Sequence, residues 1–131
     1  MDVIERWREI AHARDVKALA DLLAEDVVFR SPIVHAPQRG KAITLKYLAA
    51  AFDVLLRPDF AYVGEWRGEN SAVLEFTTTI EGIEINGVDI ITWDASGRIV
   101  EFKVMARPLK GINLLHHMMG ERLAGQTAAN A

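Results

Sequence analysis

The sequence predicts an α+β domain, helices packed on a mainly antiparallel sheet, from three observations. Apolar residues recur at helical spacing from Val3 to about Leu56, with one short extended interruption. From Asp59 the period changes to alternation and keeps it as far as Arg107. Within that region Gly87 to Pro108 reads as two long strands joined by a tight turn, Asp94-Ala95-Ser96-Gly97, in which Gly97 can take the positive φ such loops need.

The elements follow in order. Asp2 and Glu5 form a capping box that opens a first helix, Val3 to about Ala13, with an apolar stripe of Val3, Ile4, Trp7, Ile10 and Ala11. Asp15 caps a short second helix whose buried side is Val16, Leu19, Leu22 and Leu23. Glu25-Asp26 ends it, and Val27-Val28-Phe29 is a short strand. Pro32 and Pro37 frame an irregular loop, Ser31 to Arg39, because regular structure cannot run through both rings. Gly40 precedes a third, longer helix, Lys41 to about Leu56, halted before Pro58.

Beyond Asp59, Phe60, Tyr62 and Trp66 alternate with Ala61, Val63, Glu65 and Arg67, and Gly68-Glu69-Asn70 turns the chain. Leu74, Phe76, Thr78 and Ile80 then share one face of a second strand. A break at Glu81-Gly82 leads to a third strand from near Ile83 to Asp94, on which Asp89, Ile91 and Trp93 lie together. On the fourth, Val100, Phe102, Val104 and Ala106 oppose the charged Glu101, Lys103 and Arg107. Pairing Trp93 with Arg98 sets Asp89 beside Phe102 on the apolar face, whereas a slip of one would set it beside Glu101 and Lys103. The apolar alternation selects the first pairing, so the hairpin aims one carboxylate into an apolar concavity. Pro108 opens a final helix with Leu109, Ile112, Leu115, Met119 and Leu123 along one side. It either covers the cavity mouth or reaches across a dimer. Residues 1–124 read as one domain and 125–131 as a flexible tail.

Composition narrows the function classes. A chain of 131 residues, half of them hydrophobic and a quarter charged, suits one soluble globular core. A net charge of -3 without a Lys/Arg run lacks the electrostatic footprint of nucleic-acid binding. The chain has no cysteine, so thiol nucleophiles and disulfides are excluded. The N-terminus lacks the pattern of a signal peptide and no apolar run reaches membrane-spanning length, so a cytoplasmic protein without membrane partners is expected.

Ala24-Glu25-Asp26-Val27-Val28-Phe29 after two helices, and Gly87-Val88-Asp89-Ile90 leading into Asp94-Ala95-Ser96-Gly97-Arg98-Ile99, resemble the nuclear transport factor 2-like superfamily over residues 2 to about 107. That group includes SnoaL-like polyketide cyclases, steroid ketoisomerase, scytalone dehydratase and limonene epoxide hydrolase. The resemblance implies a cone-shaped α+β barrel whose curved sheet surrounds a cavity closed by the helices, with Asp89 facing inward. Carried over position by position, the oxyanion-hole aspartate of steroid ketoisomerase falls on Asp89, its general-base aspartate on Ser31 and its tyrosine on Trp7. The second acid of limonene epoxide hydrolase falls on Val104. Two of three ketoisomerase roles are therefore missing. The single acid/base carboxylate of the SnoaL-like cyclases is the nearest role this chain offers.

Desolvation beside Ile91, Phe102 and Val104 should raise the pKa of Asp89 towards neutrality, the range an acid/base catalyst needs. The structural alternative is a polar tether held by Trp7 or Tyr47. His35, in the loop between the prolines, is either a second acid/base group, as in the His-and-Asp site of scytalone dehydratase, or an exposed loop residue. The rings of His116 and His117 diverge by about 100° on a helix, so no metal site is expected, and no cofactor is expected. Trp7, Tyr47, Phe102, Val104 and Ile91 are the expected ligand contacts. The expected function is a cofactor-independent isomerase, cyclase, dehydratase or hydratase acting on a small apolar polyketide-, terpenoid- or steroid-like molecule. The alternative is a non-catalytic ligand-binding or dimerisation module. The outer sheet face carries Val63, Val73, Val88, Ile90 and Met105 among its charges, which fits a homodimer contact, with the ion pair or subunit contact of Glu101 and Arg107 on the same face.

Overall fold

A computed structural model describes the backbone of residues 2–129 and the side-chain surroundings of residues 2–125. Its elements are α1 (Val3–Ala13), α2 (Val16–Leu22), β1 (Leu23–Arg30), β2 (Gln38–Arg39), α3 (Lys41–Leu55), β3 (Ala61–Arg67), β4 (Ser71–Ile80), β5 (Ile83–Trp93), β6 (Ile99–Arg107) and α4 (Leu109–Ala129). The strands form one sheet in the order β2-β1-β6-β5-β4-β3. It is open rather than closed into a barrel, and only β1 and β6 run parallel. Among the described residues no helix is long and apolar enough to cross a membrane.

The caps form as their residues dictate. Glu5 donates its N–H to the Asp2 carboxylate at 2.8 Å while the Glu5 side chain accepts from Asp2, and Asp15 accepts from Ala18 N at 3.0 Å. Glu81 and Gly82, both at positive φ, make the two-residue turn between β4 and β5.

Several boundaries differ from expectation. The strand expected at Val27–Phe29 begins at Leu23, because Leu23 pairs with Ile99 of β6 before Val28 pairs with Glu101. The extra residues between those contacts leave the ladder as a bulge that carries Glu25 and Asp26 to solvent. The Pro-framed loop ends in a short strand, since Gln38 and Arg39 pair with Phe29 and Val28. Val16, expected on a buried side, is 38% exposed, and Leu109, at the start of the last helix's apolar side, is 75% exposed. The tail expected from residue 125 is helical as far as Ala129, and residues 130 and 131 lie outside the described part.

The β5–β6 register matters most for the site. Asp89 lies opposite Val104, and Phe102 opposite Ile91, two residues from the expected pairing. The turn accounts for one step, with Asp94 N–H donating to Arg98 O, and a bulge at Val100 accounts for the other. Two single steps restore the original face, so Asp89 still points to the apolar side. On β3 a single bulge does the opposite. Tyr62 pairs with Phe76, but beyond the irregularity at Val63 it is Glu65 that faces Leu74, so Trp66 turns outward and is 58% exposed.

The main core lies between the sheet and the first three helices, built on Ile4, Trp7, Leu19, Phe52, Leu74 and Phe102. A smaller cluster of Val54, Ile80, Ile85 and Leu115 seats α4 against α3 and the ends of β4 and β5. Gly87 serves the core by lacking a side chain. A Cβ there would lie 2.6 Å from the Phe76 ring and 2.7 Å from the Met105 carbonyl, so the ring of Phe76 lies over bare backbone two residues before Asp89.

Candidate active site

Asp89 is held in the middle of β5 between Leu74 of β4 and Val104 of β6, and is 7% exposed. Its partner comes from across the sheet. The Tyr62 hydroxyl on β3 donates to Asp89 Oδ2 at 2.5 Å, and the Trp7 indole N–H on α1 donates to the Tyr62 oxygen at 2.9 Å. Asp89 Oδ1 accepts no side-chain hydrogen bond from the described residues. The Arg8 guanidinium stands over the Tyr62 ring, 5.1 Å from its centroid.

Burial pushes the Asp89 carboxyl up from its ordinary value of 3.8, the Tyr62 hydrogen bond opposes that rise, and the balance stands at about 7. Burial, then the neighbouring Asp89 charge, hold the Tyr62 phenol well above its usual range, so that it stays a donor. A carboxyl poised near 7 beside a permanently protonated phenol suits reversible proton transfer at neutral pH.

These groups face a narrow apolar cavity of about 40 Å³, lined by Trp7, Phe52, Phe60, Phe76, Phe102 and Val104 among others. That is room for a water or a small group. Outside it lies a wider cleft of about 600 Å³ between α1 and the α3–β3 connection, and the two share Ala11, Leu56, Phe60 and Tyr62.

Of the residues expected at the site, Asp89, Trp7, Phe102 and Val104 line the cavity together. Ile91 is fully buried in the main core instead. Tyr47 packs on Phe29, ring centroids 5.6 Å apart, and neither lines the cavity nor tethers Asp89. Trp7 reaches Asp89 only through Tyr62. His35 is exposed on its loop and is not brought to Asp89. The Ser31 hydroxyl accepts from the N–H groups of Ile33 and Val34 at 3.0 and 3.4 Å, so it serves the loop's turn. Among the described residues no three His, Cys, Asp or Glu side chains gather as a metal ion would require.

Tyr62 is not among the expected ligand contacts, yet it holds the carboxylate. The signal was present, since a buried carboxylate demands a donor and Tyr62 is the hydroxyl-bearing aromatic on the inward face of a nearby strand. Replacing it should raise Asp89 further. In Tyr62→Phe the hydrogen bond favouring the ionised carboxylate is gone, so the titration of Asp89, read by carboxyl-carbon NMR, should move above about 7. A downward movement would contradict this assignment.

The family described as SnoaL-like domain matches residues 4–102. The chain belongs to this family. Among solved structures, a steroid delta-isomerase from Pseudomonas aeruginosa is similar at 38% identity and a TM-score of 0.90, over 96% of this chain and 92% of that one. A protein from Silicibacter pomeroyi with a cystatin-like fold is 29% identical, with a TM-score of 0.85 over 92% and 84% of the two chains. A nuclear transport factor 2-like protein of unknown function from Mesorhizobium loti, 20% identical with a TM-score of 0.69 over 81% and 88%, shares the fold. A comparison with curated proteins finds no match. The SnoaL-like domain thus has the α+β cone architecture of the nuclear transport factor 2-like fold.

Proposed function

We propose that this SnoaL-like domain is a cofactor-independent acid/base enzyme of the isomerase, cyclase or lyase type, acting on a small, largely apolar molecule through Asp89. The observation that carries the reading is a carboxyl with a pKa of about 7 on the wall of an apolar cavity, one oxygen bound by Tyr62 and the other without a side-chain donor among the described residues. At neutral pH it is present in both forms. Its ionised form can take a proton from carbon, leaving a dienolate whose charge rests on the ketone oxygen, and its protonated form can return that proton to another carbon, which is the proton transfer of a double-bond shift beside a carbonyl. Likeness to a steroid delta-isomerase supports isomerisation over the other classes. With Ser31 engaged in its turn, Asp89 carries the proton alone, and the Trp7–Tyr62 chain fixes its orientation.

The test is turnover of β,γ-unsaturated ketones, followed by absorbance of the conjugated product. Wild-type rates should rise with pH through about 7 as Asp89 ionises, and Asp89→Asn should lose about 100-fold or more. Turnover that survives Asp89→Leu would remove Asp89 from the mechanism.

A second reading, a non-catalytic ligand-binding module, is favoured by Ser31, whose hydroxyl serves the loop's turn at the position where the ketoisomerase resemblance puts a general base. It predicts that Asp89→Leu keeps or improves the affinity for apolar ligands.

On the outer sheet face Val63, Trp66 and Met105 are 57%, 58% and 53% exposed, and this supports a homodimer formed through that face. Sedimentation should show a wild-type dimer and a monomeric Trp66→Glu/Met105→Glu variant. A wild-type protein that stays monomeric at high concentration would remove the dimer.

A further inference from the structure

We propose that the ligand of this site is an amphipathic carboxylate, its apolar part entering the cavity and its carboxylate held in the outer cleft by Arg14 and Arg57. The inference rests on the reading of the Asp89 cavity as a ligand site, and adds the polar half of the ligand. The cleft is lined by Arg8, His12, Arg14 and Arg57, with no Asp or Glu on its wall, in a chain whose net charge is -3. Arg8 is spoken for, since it pairs with Glu65 at 3.2 Å.

Arg14 and Arg57 are not paired in that way. Arg14 donates to the Leu56 carbonyl, and Arg57 Nε donates to the Val54 carbonyl at 2.9 Å, and neither has a carboxylate partner among the described residues. These bonds cap the end of α3 and hold both guanidinium groups at one edge of the cleft. Each guanidinium has five N–H donors, so most remain available, in the planar fork that matches a carboxylate. The cleft runs into the cavity along Leu56, Phe60 and Tyr62, which lie on the wall of both. An apolar body extending inward past Tyr62 would therefore leave its charged end beside the two arginines. Charge in the cleft would also draw an anion towards an otherwise acidic protein.

The experiment compares pentanoic acid, whose slender chain suits the narrow cavity, with its methyl ester by calorimetry at about pH 6, where the probe acid is ionised and Asp89 keeps its proton. The wild type should bind the acid about tenfold more tightly than the ester. That preference should collapse in Arg14→Met/Arg57→Met, and rising salt should erode it in the wild type itself, a readout independent of whether the variant folds. Equal binding of acid and ester by wild type, or a preference insensitive to salt, overturns the proposal while leaving the cavity as a ligand site. Binding of neither probe overturns both readings.

Discussion

Raising the pH from about 4 to about 8 should weaken the folded SnoaL-like domain by roughly 4 kcal/mol through Asp89 alone, the interval between 3.8 and about 7 expressed as free energy. Below 3.8 the carboxyl is protonated in folded and unfolded chains alike, and its favourable contribution is fully present. Between 3.8 and about 7 the unfolded chain releases the proton while the folded chain keeps it, so stability falls as pH rises. Above about 7 both are ionised and the loss is complete. Asp2, Asp59 and Asp94 act in the opposite sense, because hydrogen bonds hold their carboxyls below the ordinary value and their contributions are lost at the acid end. The difference between wild type and Asp89→Asn isolates the buried group. In urea unfolding across this range the Asn variant should lack the decline and be the more stable protein at about pH 8. Asp89→Leu should gain less, since the Tyr62 hydroxyl loses its acceptor at a cost of about 1–3 kcal/mol. Parallel pH profiles for wild type and Asp89→Asn would show that the carboxyl is solvated and would withdraw the raised pKa on which the proposed chemistry rests.

How far the sequence disclosed this arrangement depends on what a bulge does to a period of two. Capping boxes, helix stops and alternation are local, so α1, α3 and the long strands were legible. Asp89 kept its predicted face because the turn and the Val100 bulge each displaced the register once. Trp66 did not, because β3 has one bulge and nothing to offset it. No local signal marks either bulge. The hydrogen-bond partner of Asp89 was hidden for another reason. Trp7 lines the same cavity as the carboxylate, yet the intervening Tyr62 comes from the far edge of the sheet, a pairing that only the register of β3, β4 and β5 determines. Loop residues gave least. His35 and Ser31 sit in the proline-framed loop with no periodicity to orient them, and the structure leaves one exposed and turns the other to the backbone.

Trp7→Ala should cost about 3–5 kcal/mol, a third or more of the stability of a typical domain. The indole is 3% exposed, packs edge-on to Phe102 with centroids 4.8 Å apart, and lies 5.8 Å from Phe52. Its removal takes away both ring contacts and the N–H donated to Tyr62, and α1 cannot close the gap while its neighbours Ile4, Ile10 and Ala11 stay packed. The void left behind opens onto the cavity of about 40 Å³, so the same change that destabilises the core enlarges the site. Added indole should then bind in the gap and recover part of the loss, seen as a rise in the thermal midpoint of Trp7→Ala that is absent in wild type. Trp7→Phe separates the two contributions, because it keeps most of the packing and removes only the hydrogen bond, a loss of about 1 kcal/mol. If Trp7→Ala proved nearly neutral and indole had no effect, the helix would have collapsed onto the sheet, and Trp7 would be core filling rather than the inner wall of a ligand site. A large loss reversed by indole would instead place the indole at the boundary between core and cavity, where one side chain supports the fold and sets how much of a ligand can enter.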